Sequence, residues 1–501
     1  MRDKEPRIDR LLFFAASAAA IAVCIPLALA PEQSERFVSD LYDGISSNFG
    51  FLYQLFGICT IGFLLWLAFS QYGEIRLGQE GERPDYSLFS WVGMLFCAGT
   101  GASLLVWSGV EWAFYIDAPP MGAVPRSAEA IEWASAYGPF HWGITAWAIY
   151  ALPTIAIAYP FYVKKVPHLR ASTSLHAILG SSGEDSSLGR IVDLAAMIAL
   201  LGGAGTSLGV IAPTIAASTA ELMNIDTSFR LELLVMVVCI GLFGGSVWLG
   251  IDRGIRRLSD LNVYLILTLL AFILLVGPTL FLLKNSLNTL GFMAENLVRM
   301  MTWTDPVDKT GFVEKWSIFY WAWWIAFALP VGVFITRISR GRSIRQVILG
   351  MLTFGSLGCW LFYFVFGNYS MSLELQGVMS VTDSLSEHGM YVTVENVVST
   401  LPFGAGALFL FILVSVISVA TTYDSASYTL ASTATAELRV GDNPARWHRL
   451  FWALILGLLP VVMMYVGGLQ VIRSGVLVAS LPLLGVGVAM MISLVKSLRQ
   501  H

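Results

Sequence analysis

"FYWAWWIAF", residues 319–327, sets three indoles, Trp321, Trp323 and Trp324, within four positions, with Tyr320 before them and Phe327 after. The flanks "KWSI" (315–318) and "ALPVGVFITRISRGR" (328–342) make it one apolar run that ends in a basic loop. Such a run is long enough to cross a bilayer as a helix. Tryptophan normally gathers at the membrane–water interface, not at mid-span. Interface anchoring therefore explains this pair of indoles poorly, and their faces are expected inside a helix bundle.

Working outward, the same apolar character holds along all 501 residues: 56% are hydrophobic and 13% charged, and mean hydropathy is +0.70. Runs of about 20 apolar residues recur, and twelve spans are expected: 11–30, 51–70, 88–116, 137–163, 189–219, 229–250, 258–283, 313–336, 343–367, 402–434, 448–467 and 473–495. The first run is too long for a cleavable signal and reads as a retained helix. Most of the 30 Lys and Arg fall in the loops on the N-terminal side. Both termini are therefore expected in the cytoplasm, in an inner membrane. Five cysteines, all in apolar helices, argue against a disulfide framework.

The expected fold is an all-α polytopic membrane protein. An N-terminal two-helix segment (1–87) precedes spans 3–7 (88–284), an outer interfacial amphipathic helix (285–312) and spans 8–12 with a short tail (313–501). Spans 3–7 and 8–12 have five helices each, starting from opposite sides. This is the 5+5 inverted-repeat plan of many secondary transporters, with a site at mid-membrane. In the outer segment Leu287, Leu290, Met293, Leu297 and Met300 recur at helical spacing.

Three stretches carry chemistry. In "CAGTGAS" (97–103), Gly99, Thr100 and Gly101 invite unwinding, and unwound backbone is tolerated at membrane depth only where it lines a cavity. A small-residue packing face is the plain alternative. In "VATTYDSAS" (419–427), Thr421 and Thr422 offer hydroxyl oxygens suited to sodium, and Asp424, like Glu111, is a carboxylate inside the membrane. Trp142, Trp147 and Tyr150 of span 4 add a second aromatic face, and Trp107, Trp112, Phe114 and Tyr115 of span 3 a third. A desolvated aromatic cage attracts a cation that cannot be hydrogen-bonded, such as quaternary ammonium. No HExxH motif, P-loop or Ser/His pair is present, so an enzyme is not expected.

"FHWG…AW", "FYWAWWIAF" and "RISRGRS", in that order, with "GTG" before and "TTYDSAS" after, resemble the betaine/carnitine/choline transporter family over nearly the whole chain. The resemblance implies a leucine-transporter-like core of ten helices within twelve, and a homotrimer. It implies that Trp142, Trp323 and Trp324 hold the trimethylammonium group. Phe114 stands at a carnitine-branch tyrosine, Phe327 at a betaine-branch tryptophan, and Trp147 and Tyr150 along the betaine pathway. It also implies a sodium site of Thr421, Thr422, Ser418, Cys97 and Thr100. Sodium-independent exchangers of the family carry Arg and Met where Asn262 and Val331 stand, and lack the second hydroxyl, so the chain leans toward sodium symport. Leu200 and Ala204 replace the threonines of a second sodium site. The expected partners are a small zwitterion, carrying a quaternary ammonium or dimethylsulfonio head, and the lipid bilayer; no nucleic acid and no organic cofactor is expected. The alternative is a sodium-independent exchanger of the carnitine type.

Overall fold

An apolar chain in lipid has no water for its backbone, so helices that satisfy every N–H and C=O internally are the available solution. The computed structural model, which describes residues 7–79, 81–100, 102–180, 186–249, 254–466 and 469–500, is helical throughout. Among the described residues the only extended pairings are two isolated bridges, Ile8 with Thr435 and Arg76 with Ser343. Among the described residues nine helices are long and apolar enough to cross a membrane, and ten if the bent pair Leu88–Gly99 and Leu104–Asp117 counts as one span. Of the twelve expected spans, Arg10–Leu29 and Arg446–Val466 are also helical but do not meet that measure over their described residues.

The third span breaks as "GTG" suggested: its halves meet at 57°. Gly101 and the side chain of Thr100 lie outside the described residues. The tryptophan-rich span runs through a π turn, Val313–Ile318, into Phe319–Ile338, and its apolar window is wholly buried inside the protein. That is why indoles occupy its middle: this helix has no lipid-facing side. It lies most extensively against Ile144–Tyr162. Gly332 permits the approach, since a Cβ there would sit 2.9 Å from Thr154 N. Hydroxyls fasten the neighbours: Thr336 donates to Thr154 O at 3.0 Å and Thr429 to Pro330 O at 3.2 Å.

Several boundaries differ from expectation. Span 4, expected at 137–163, is two helices, Ala128–His141 and Ile144–Tyr162, parted at Trp142 and Gly143. A Cβ on Gly143 would meet Pro139 O at 2.6 Å, and Trp360 Nε1 donates to that freed carbonyl at 2.8 Å. The outer helix is Thr279–Thr302 rather than 285–312. The chain leaves it through Asp305, which accepts from Thr310 N and Oγ1. Its apolar stripe is divided: Met293 and Met300 are buried, whereas Leu287 is 73% exposed. Val381–Ser399, kinked at Gly389 (φ 75°), is a helix with no counterpart in the expected spans. His448, the first residue of the expected span 448–467, is buried in Arg446–Val466 and accepts from Trp452 Nε1 at 2.9 Å.

The "RISRGRS" loop is more than a basic topology signal. Gly341 (φ 80°) donates to Leu77 O, Leu77 to Arg342 O and Ile344 to Ile75 O. Arg342 lies 4.4 Å from the Trp91 ring centre, and Trp91 Nε1 donates to Ser339 Oγ. The loop is thereby stitched to residues 75–77 and to the start of the broken helix.

Candidate functional site

Tyr320, Trp323, Trp324 and Phe327 recur at i, i+3, i+4 and i+7 and so share one face of their helix. Trp323 and Trp324 lie nearly parallel (5.6 Å, 4°). Tyr320 stacks on both, at 6.1 and 6.2 Å. Trp142, at the break in span 4, meets Trp324 edge-on at 4.9 Å and Trp323 at 5.9 Å. Tyr150 closes on Trp324 at 5.6 Å, and Trp147 on Tyr150 at 5.8 Å, both perpendicular. Trp324 Nε1 donates to His141 O at 2.9 Å, which fixes that ring to the end of Ala128–His141. By contrast Trp142 Nε1 and Trp323 Nε1 are buried without a hydrogen-bond partner among the described residues, at a cost of about 1–3 kcal/mol each.

Trp147 links this cluster to the broken helix. A Cβ on Gly99 would meet its ring at 2.6 Å, and one on Gly355 at 2.1 Å. The two glycines therefore form a slot for the indole. Phe114 is not in the cluster; its ring rests on Trp316 at 5.4 Å. Phe327 lies between the indoles and the broken helix, lining a cavity of about 10 Å³ with Ala98, Val331 and Thr422. Sequence reasoning gave Tyr320 no role in the cluster, although the i, i+3, i+4, i+7 spacing carried the signal.

Below the rings, helix Gly404–Thr433 passes the end of Leu88–Thr100. Thr422 Oγ1 donates to Cys97 O at 3.1 Å and to Ser418 O at 2.9 Å. Its hydroxyl joins the backbone of the two helices. Thr421 Oγ1 bonds back to Ile417 O and Ser418 O in its own helix and also meets the Cys97 thiol. Asn262 Nδ2 donates to Ser418 Oγ at 3.0 Å and reaches Cys97 Sγ at 3.4 Å. Carbonyl and hydroxyl oxygens thus converge beside Thr422, next to a second cavity of about 10 Å³. Asp424 points elsewhere and accepts from the Ser246 hydroxyl on helix Phe229–Leu249.

The model of the betaine/carnitine/choline family transporters matches residues 11–501. The chain belongs to this family. Betaine/carnitine/choline transporters are integral membrane proteins that move small molecules, and the chain is a transporter, not an enzyme. Among relatives, a carnitine transporter of Acinetobacter baumannii is 34% identical over 99% of this chain and 89% of its own. The transporter YeaV of Escherichia coli (strain K12) is 37% identical over 85% of this chain and 88% of its own. Outside the family, a solved Na⁺-coupled sialic acid symporter overlays with a TM-score of 0.47 at 12% identity, over 83% of this chain and 79% of that one.

Proposed function

We propose that this betaine/carnitine/choline transporter moves a betaine-like zwitterion, with a quaternary ammonium or dimethylsulfonio head, by sodium-coupled symport and alternating access. The observation that carries the reading is the buried group of Trp142, Trp323 and Trp324, two parallel indoles met edge-on by a third. Each aromatic face offers an onium head about 0.5–2 kcal/mol, so several offset part of its dehydration. Because Trp142 rests directly on Trp324, a head group enters as those rings part. The carboxylate of a zwitterion is an acceptor of the kind that the two unpartnered indole N–H groups lack.

Sodium enters the reading as cargo. The carbonyl oxygens of Cys97 and Ser418 both lie within hydrogen-bond distance of the Thr422 hydroxyl, and a hard cation takes such oxygens when the hydroxyl hydrogen turns away. The broken helix would belong to both sites, Gly99 under Trp147 and Cys97 beside Thr422, so ordering it for one ligand favours the other. A 5+5 inverted repeat, twelve spans, cytoplasmic termini and a trimer complete the proposal. Uptake of radiolabelled glycine betaine, carnitine and choline into proteoliposomes tests it. Accumulation driven by an inward sodium gradient is expected; counterflow of equal size without sodium would assign the chain to the exchangers instead.

A further inference from the structure

Behind the indoles lies a second buried cluster that the proposed cycle leaves unused. Glu111 and Tyr115 stand one turn apart on Leu104–Asp117, His141 ends Ala128–His141, Ser317 belongs to the π turn Val313–Ile318, and Tyr363 follows Ser356–Phe362. The side chains of Glu111 and His141 are 0% exposed. Both oxygens of Glu111 accept phenol hydroxyls, Oε1 from Tyr115 and Oε2 from Tyr363. His141 Nδ1 is 3.2 Å from Tyr115 Oη and 3.6 Å from Glu111 Oε1. His141 Nε2 is 3.0 Å from Ser317 Oγ.

Counting hydrogens assigns the tautomer. Tyr115 has one hydroxyl hydrogen and gives it to Glu111, so Nδ1 of His141 is the donor to Tyr115. In the neutral ring Nε2 then accepts from Ser317. When Nε2 takes up a proton, the Ser317 hydroxyl turns and accepts from it. Both protonation states leave the imidazole hydrogen-bonded on each side, so the exchange orphans no buried group at His141.

This cluster touches the aromatic box twice. The His141 ring stacks on Tyr320 at 4.7 Å, and Tyr320 stacks on Trp323 and Trp324. The His141 carbonyl accepts from Trp324 Nε1, and Trp142 is the next residue. We propose that Nε2 of His141 is a proton-binding site that competes with the cationic head held by the box. With neutral His141 the Glu111 carboxylate leaves a net negative charge behind Tyr320, which favours a cation among the rings. Protonation cancels it. Binding an onium head therefore releases a proton, and by linkage acid weakens the head by the factor by which the head weakens the proton.

The other titratable groups facing His141 are Tyr115, Tyr137 on its own helix at 5.4 Å, and Tyr320; Tyr363 faces Glu111. Glu314 and Lys315, in the same turn as Ser317, line a separate surface cleft with Asp305 and Lys309.

The inference rests on the onium reading of the box, and the test separates the two. Choline and glycine betaine, whose quaternary nitrogen has no proton to lose, are titrated against purified protein by intrinsic tryptophan fluorescence across the range of about pH 5 to 8 in which histidine changes charge. Wild type is expected to bind on the order of tenfold tighter at the alkaline end. Calorimetry in buffers of different ionisation enthalpy is expected to report proton release. His141→Gln should be flat with pH at the tight level, and Glu111→Gln no tighter than the weak level at any pH, in protein whose melting is cooperative. A merely structural role would weaken both variants alike and overturn the proton site. A pH-independent Kd in wild type overturns it while leaving the box intact. No binding of either ligand by folded wild type at any pH overturns both.

Discussion

At the scale of single residues, the structure separates side chains that the sequence presents as equals. Trp321 and Trp324 are both buried indoles of one helix, yet Trp321 packs on Phe140 and His141, outside the parallel pair. Trp324→Leu is expected to lower onium affinity about tenfold or more, because a ring face and the bond to His141 O are lost together. Trp324→Phe should keep an intermediate affinity, and equal affinity of the Leu variant in a fluorescence titration would show generic apolar packing. Thr421 and Thr422 divide in the same way. Thr422→Ala removes the hydroxyl that joins two helices and is expected to raise the sodium needed for half-maximal uptake by about ten- to a hundredfold. Thr421→Ala, which removes a back-bonded hydroxyl, should shift it little. Equal shifts in the two variants would return both threonines to one ion.

At the scale of elements, breaks in helices set the site. The bend after Leu88–Thr100 exposes the end of that helix to Thr422, and the break at Trp142 and Gly143 turns an indole edge-on to Trp324. "GTG" announced the first break. The second hid inside one apolar run, since its cause is tertiary: Gly143 is squeezed between Pro139 and Trp360. Val381–Ser399 escaped notice because its polar sequence and mid-helix kink show no apolar period. The slot around Trp147 gives a test at this level. Gly355→Val puts carbon into the ring and should destabilise the purified protein by about 1–3 kcal/mol. Adding Trp147→Ala should recover part of the lost melting temperature; simple additivity of the two losses would mean that ring and glycine are uncoupled.

At the scale of the molecule, orientation is the open quantity that the basic loops address. In a background with Cys24 and the exposed Cys59 replaced by serine, Arg439→Cys should react with a membrane-impermeant maleimide only after cells are opened. Glu387→Cys should react in intact cells. The reverse pattern would invert the topology. The fold bears on this choice through the N-terminal segment, where Asp9 N donates to Ala434 O and Asp9 pairs with Arg170 and Arg190. These contacts put the start of the chain, the loop after Tyr162 and the end of Gly404–Thr433 on one side.

Membrane class, family and most members of the aromatic and hydroxyl faces were legible in the residues alone. Each follows from local quantities: apolar run length, helical spacing, and the rarity of oxygen-rich and indole-rich stretches at membrane depth. The sequence also marked Glu111 and His141 as polar groups within spans. It held no means of pairing them, because they lie on different helices and come within 3.6 Å of each other only once those helices have packed. The same is true of Phe114, which matches a family position by spacing yet turns to Trp316, and of Thr422, singled out from Thr421 by one carbonyl of another helix. Periodicity fixes which face of a helix a residue occupies; which neighbour that face meets is decided by crossing angles, glycine slots and helix breaks, and those exist only once the helices have packed.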